Sequence, residues 1–202
     1  MSTQTFTGGV NFTLTSNQFV KQCYSFSGWS LTSSGTVRYT NGATANLTNT
    51  TTLYAVWTPV TSGCTVTYSG NGNTSGTMSD TSFTAGTAFN LRTNAFVKTC
   101  YTLQGWDTNS AGTSVVYTNG QSVTVTANLA LYAVWLPTAS GCQITFNGNT
   151  NTGGSTNAQS FTAESAFTLT SNGFTKTCYT FQRWNTAADD SGTRYSNAQT
   201  NV

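Results

Sequence analysis

One stretch of this chain is written three times. Cys23-Tyr24-Ser25-Phe26-Ser27-Gly28-Trp29 is matched by Cys100 to Trp106 and again by Cys178 to Trp184. Successive copies begin 77 residues apart (23 to 100) and 78 residues apart (100 to 178). A second block, Leu53-Tyr54-Ala55-Val56-Trp57, returns unchanged at Leu131 to Trp135, and Cys64 returns as Cys142, each after 78 residues. A fixed period of this length is that of a small domain, so the chain is constrained to a tandem array of similar units rather than one large fold.

The register holds along the whole sequence. Phe6, Phe83 and Phe161 correspond, as do Phe12, Phe89 and Phe167, Leu14, Leu91 and Leu169, and Lys21, Lys98 and Lys176. The only two prolines, Pro59 and Pro137, stand at equivalent places in Thr58 to Gly63 and Leu136 to Gly141, where Pro and Gly punctuate between apolar runs. Unit boundaries placed there divide the chain into 1–60, 61–138 and 139–202. The first unit then lacks its opening strand and the third lacks its closing Leu-Tyr-Ala-Val-Trp block; only the middle one is complete. Met1-Ser2 aligns with Met78-Ser79 inside a repeat, so the chain reads as cut from a longer array.

Each unit reads as β. Thr65 to Tyr68, Ala88 to Leu91, Tyr101 to Leu103, Val115 to Tyr117, Gln121 to Thr126 and Ala130 to Trp135 are short runs rich in β-branched and aromatic residues. Asn41-Gly42, Asn71-Gly72, Asn119-Gly120 and Asn147-Gly148 mark turns between them. No window carries a helical stripe. The expectation is a mainly β chain of small antiparallel domains with a short helical turn at most. The repeat core is assigned to Trp29, Trp57, Trp106, Trp135 and Trp184 with Tyr54 and Tyr132, because a small domain must bury its largest side chains.

Charged residues make up 6% of the chain, far below the usual quarter or so, and Thr, Ser, Asn and Gly stand in for them. Aromatics at 13% argue against disorder. A net charge of +2 offers no footprint for nucleic acid or anionic lipid, and no apolar run approaches a membrane span. The expected partners are therefore neighbouring repeats, copies of the chain itself, or a glycan or protein of a host or cell surface, with no nucleic acid and no membrane insertion.

Five cysteines at two positions per unit suggest an oxidising, extracellular setting. Closure within units would join Cys64 to Cys100 and Cys142 to Cys178, leaving Cys23 unpaired or pairing outside the chain. A staple across the linker would join Cys23 to Cys64 and Cys100 to Cys142, leaving Cys178 alone. Closure within units is the expectation, because a unit of roughly 75 residues has a marginal core and gains about 2–4 kcal/mol from one bridge. Reduced, buried thiols are the third alternative.

Gly-Trp after an aromatic run, a Tyr-x-Asn-Gly segment and a closing Leu-Tyr-Ala-x-Trp together resemble the bacterial surface repeat family named for Listeria and Bacteroides, typified by the B-repeat of internalin B. The match runs from Cys64 to Trp135 and partly through both flanks, and departs from the pattern at Arg183, where Gly28 and Gly105 stand in the other units. The resemblance implies a compact β-grasp-like domain used in tandem as a stalk or adhesion module of secreted or cell-wall proteins.

No catalytic constellation is visible. None of the five carboxylates Asp80, Asp107, Glu164, Asp189 and Asp190 is matched by a carboxylate in another unit, and there is no histidine. The expectation is a non-enzymatic extracellular module with no cofactor and no metal. Asp189-Asp190-Ser191-Gly192 reads as a polar turn before a calcium loop. Two alternatives stand beside the stalk: a self-assembling fibre subunit joined through incomplete terminal units, and a glycan-binding adhesin with Trp29, Trp106 and Trp184 as its platform.

Overall fold

A computed structural model describes residues 1–60, 63–139 and 141–202; Thr61 and Ser62 in the first linker and Ser140 in the second, where the unit boundaries were expected, lie outside the described residues. The first unit carries β1 (Phe12–Thr13), β2 (Tyr24–Ser30), β3 (Thr44–Ala45) and β4 (Tyr54–Pro59). The middle unit carries β5 (Thr65–Ser69), β6 (Thr81–Ser82), β7 (Phe89–Asn90), β8 (Tyr101–Asp107), β9 (Ser122–Val123) and β10 (Leu129–Pro137). The third has only two-residue strands: β11 (Gln143–Ile144), β12 (Gly153–Gly154), β13 (Gln159–Ser160), β14 (Phe174–Thr175), β15 (Trp184–Asn185) and β16 (Arg194–Tyr195). No helix occurs among the described residues.

The fold is the expected mainly β array, and its four-stranded sheet lies in the middle unit. Its sheet has the order β6-β5-β10-β8. The neighbours β10 and β8, and β5 and β6, are antiparallel, whereas β5 and β10 run parallel, which adds one parallel ladder to the antiparallel expectation. First and last strands thus lie side by side at the centre of the sheet, and everything between them in sequence is a crossover. In the first unit the counterparts of β8 and β10, strands β2 and β4, form a two-stranded antiparallel ladder.

Strand periodicity decides which parts of the repeated block enter the core. Successive side chains point to opposite faces, so in β10 Leu131 and Ala133 are fully buried, together with Val66 of β5 and Trp106 of β8. Trp135 packs partly against the same cluster, and its Nε1 donates to the Gly70 carbonyl at 2.8 Å. Trp29 centres a smaller cluster with Leu14 and Ala45, while Trp57 meets it edge-on through Phe26. Tyr54 corrects the expected core: it is 40% exposed, because Leu53 and Ala55 take the inward face of that strand. Tyr132, at the matching position of β10, is half-buried and outside the cluster.

A bulge repeats where the Cys-to-Trp strand meets the closing strand. Phe26 and Gly28 pair with consecutive Trp57 and Val56, leaving Ser27 extra; Leu103 and Gly105 pair with Trp135 and Val134, leaving Gln104 extra. The glycine next to it admits a crossing chain, since a Cβ on Gly105 would stand 2.6 Å from the Tyr117 carbonyl oxygen and 2.6 Å from Val115 Cγ1. Gly105→Ala is expected to destabilise the middle unit by about 1–3 kcal/mol through overpacking, measured as a lower midpoint in denaturant unfolding.

Turns repeat at atomic detail as well. Asn94 Nδ2 donates to the Phe96 carbonyl at 2.9 Å, Phe96 N–H donates to Asn94 Oδ1 at 3.0 Å, and Asn94 N–H donates to Asn119 Oδ1 at 2.7 Å. The same trio recurs at Asn17, Phe19 and Asn41 and at Asn172, Phe174 and Asn197. These side chains supply the hydrogen bonds that a chain with so little regular strand must otherwise leave to water.

Candidate functional site

The residues that the repeat keeps most strictly converge on the joints between units. Each Lys-x-Cys-Tyr run is a tight turn, closed by Tyr N–H to Lys carbonyl bonds of 3.2, 3.0 and 3.0 Å at Lys21, Lys98 and Lys176. It places Cys23, Cys100 and Cys178 in the left-handed region at φ of 69°, 71° and 65°. The same turn brings each lysine Nζ over the following tyrosine ring, at 3.9, 4.1 and 4.9 Å from its centroid. The sequence marks these lysines only as equivalent positions; their spacing of three from a tyrosine in all units was the available signal.

Beyond the turn, the Cys-to-Trp strand runs antiparallel to the closing strand, so Tyr24 pairs with Pro59 and Tyr101 with Pro137. The departing chain is held there by Val60 N–H to the Cys23 carbonyl at 3.0 Å and Thr138 N–H to the Cys100 carbonyl at 2.8 Å. Cys64 and Cys142 follow at once. Disulfides accordingly join Cys23 to Cys64 and Cys100 to Cys142, with Cα separations of 5.0 and 4.9 Å, and Cys178 is free and exposed.

This corrects the expected closure of Cys64 with Cys100 and of Cys142 with Cys178, and Cys178 rather than Cys23 is left over. The reason is the sheet order. Val66, just after Cys64, pairs with Leu129 at the start of β10, whereas Tyr101, just after Cys100, pairs with Pro137 at its end. The two cysteines of the middle unit therefore lie at opposite ends of a nine-residue strand, roughly 25 Å apart at about 3.3 Å per residue. No bridge spans that distance.

Further contacts close each joint. Cys64 and Cys142 are buried, and Cys23 and Tyr24 of the first unit pack into the core cluster of the middle one. Asn128 bridges the first joint, its Oδ1 accepting from Thr65 N–H at 2.9 Å and its own N–H donating to Gln22 Oε1 at 3.4 Å. At the second joint the Tyr101 hydroxyl donates to Glu164 Oε1 at 2.6 Å. That bond, followed by burial and the carboxylate charge, raises the tyrosine pKa. Glu164 has φ 61°, where the other units have Gly9 and Gly86 at 73° and 77°. A glutamate in a glycine position was the sequence signal for this contact, and it was missed.

The remaining polar side chains hold loops. The residue after each tryptophan, Ser30, Asp107 or Asn185, accepts backbone N–H groups of the following loop. Asp107, 4% exposed, takes Asn109 and Ser114 N–H at 3.0 Å each, and these bonds hold its pKa below the usual carboxylate value. A depressed folded pKa gives stability that is complete above the unfolded value of about 4 and is lost as pH falls through the folded one. Asp107→Asn, which keeps an acceptor as Asn185 does, should flatten the fall of Tm between pH 5 and 2 seen in the parent chain. Asp190 is held by Arg183 Nε at 3.1 Å, Arg194 at 3.0 Å and Asn185 at 2.7 Å, which leaves its oxygens engaged by donors. Among the described residues no group of three or more His, Cys, Asp or Glu side chains could hold a metal ion.

Trp29 and Trp106 are 5% and 0% exposed and Trp184 is half-buried, so they do not form an open platform for sugars. The middle unit carries a four-stranded β-sheet with a disulfide joint at each end, which makes the chain a mainly β repeat array stapled at two joints. The family model of the Listeria-Bacteroides repeat domain matches residues 1–56, 65–134 and 143–202, and the chain belongs to that family as three tandem repeats. No curated protein and no solved structure matches it. Family and disulfides together are compatible with an extracellular repeat module.

Proposed function

We propose that this chain is a force-carrying stalk segment of a bacterial surface protein: non-enzymatic, extracellular, and stapled at every joint, with neighbouring repeats as its principal partners. The observation that carries this reading is the direction of the central ladder. The preceding unit is fastened at Cys64, at the opening end of β5, and the following unit at Cys142, beyond the far end of β10. Because β5 and β10 are parallel neighbours, tension along the array pulls them from opposite ends. Their hydrogen bonds and side-chain packing are then loaded together in shear, not one after another as in unzipping.

The bridges also set the force path. Residues 24–63 and 101–141 lie inside disulfide loops of sequence separation 41 and 42, so once a unit yields the bridges keep these segments from adding to the chain's extension. A sparsely charged, Thr- and Asn-rich surface suits such a spacer outside the cell, since little of it titrates or is screened by salt.

Single-molecule pulling tests this reading. The oxidised chain held by its two ends should unfold its middle unit at a force several-fold higher than when one handle is moved to Asn73, just past β5, where the ladder is peeled. Equal forces in the two geometries would remove the stalk reading.

A further inference from the structure

Two side-chain hydrogen bonds lengthen the central ladder of the middle unit past the point where its backbone pairing stops. The register of β5 with β10 ends at Ser69 and Tyr132, while β10 runs on to Pro137 with β8 as its strand partner among the described residues. Just beyond β5 the chain turns through Asn71 and Gly72, both in the left-handed region at φ of 47° and 84°. Asparagine and glycine adopt that region at the least cost. Across this turn Trp135 Nε1 donates to the Gly70 carbonyl at 2.8 Å, and Asn71 Nδ2 donates to the Ala133 carbonyl at 3.1 Å. The loop is itself held, since Asn73 Nδ2 donates to the Ser75 and Gly76 carbonyls at 2.9 and 3.2 Å. Gly112 leaves room for the second bond: a Cβ there would stand 2.6 Å from Asn71 Nδ2 and 3.4 Å from the Ala133 carbonyl oxygen.

We propose that Trp135 and Asn71 are load-bearing residues, a clamp that carries tension from the far end of β10 into the end of β5. The inference rests on the stalk reading, because the clamp matters only where the ladder is loaded in shear. Tension toward the following unit enters β10 at its Cys142 end, and tension toward the preceding unit enters β5 at its Cys64 end. In an overlap of two strands loaded this way, the connections nearest the loaded ends are strained first. At the Cys64 end these are backbone pairs, beginning with Val66 and Leu129. At the Cys142 end they are the bonds of Trp135 and Asn71, placed where β5 has already ended. Sliding β5 toward Cys64 draws Gly70 and Asn71 away from their partners on β10, so both bonds break together with the ladder.

The test pulls the oxidised chain by its two ends with Trp135→Phe, which keeps a ring in the cluster without the donor, combined with Asn71→Gly, which keeps the left-handed turn without the side chain. The intact joint has four register pairs of backbone and these two side-chain bonds. Losing both bonds should lower the rupture force of the middle unit by about a third, if each connection holds alike. Gly112→Ala reaches one bond by crowding Asn71 instead of removing it, and should give about half that drop. A general loss of stability is supplied by Asn94→Ala, which deletes two side-chain hydrogen bonds with Phe96 at a turn outside the ladder. It should lower the denaturant midpoint as the double variant does and leave the rupture force unchanged. A parental rupture force in the double variant, or an equal fall in Asn94→Ala, would overturn the clamp while the stalk reading stands, because that reading depends on the parent chain alone. Equal parental forces with end handles and with a handle at Asn73 would remove the stalk reading and the clamp with it.

Discussion

Reducing the two disulfides lengthens the fully stretched chain by roughly 140 Å for each bridge opened, as about 3.5 Å per residue is released from loops of sequence separation 41 and 42. The measurement is the contour length from force–extension curves with and without reductant. The same treatment removes about 4 kcal/mol of unfolded-state restraint per loop on the chain-entropy account, so the reduced chain should also unfold at lower denaturant. Alkylation before reduction labels the free thiol, and the label belongs on Cys178. Label on Cys23 would mean that the bridges close within units after all.

Trp106→Ala is expected to cost the middle unit about 3–5 kcal/mol. Trp106 is fully buried and meets Tyr68 and Phe96 edge-on, with centroids 5.3 and 6.3 Å away, under the cover of Leu131 and Ala133. Against a total stability of about 5–15 kcal/mol for a domain, that is enough to leave the unit partly unfolded at ordinary temperature. Trp106→Phe should cost much less. Its ring keeps the edge contacts, and it removes an indole N–H that has no hydrogen-bond partner although buried. Urea unfolding followed by circular dichroism separates the two variants, and equal losses would mean that ring size alone governs the site.

Stability should be graded along the array. The middle cluster joins eleven buried residues, the first-unit cluster three, and the third unit has Leu169 and Cys142 buried without a cluster of its own. Among the described residues the four-stranded sheet belongs to the middle unit, and the bridges tie its neighbours to it.

Much of this was legible in the residues. A 77- to 78-residue period can only be satisfied by repeated small domains, and runs of Thr, Val, Tyr and Phe between Asn-Gly turns can only be strands. The burial of Trp106 followed from its size, and the family from the Gly-Trp and Leu-Tyr-Ala-x-Trp blocks. Side-chain roles that depend on a strand's facing were harder. Leu53-Tyr54-Ala55-Val56-Trp57 is one apolar run in the sequence, and only pairing with β2 shows that Leu53 and Ala55 turn inward while Tyr54 turns out. The lysine–tyrosine stacks and the Glu164 contact were equally hidden, because each depends on a turn whose φ the sequence does not state.

The sequence by itself determined that cysteines recur in two registers, and it allowed either pairing. The tertiary structure decided between them through a single fact of topology: β10 lies between β5 and β8, parallel to one and antiparallel to the other. Strands of opposite direction begin at opposite ends of the sheet, so two cysteines that each open a strand within one unit are separated by the length of β10. The chain leaving β10 returns to the cysteine that opened β8, and the next cysteine meets it there. Spacing along a chain fixes which residues repeat; which of them touch is fixed by the order and direction in which strands hydrogen-bond.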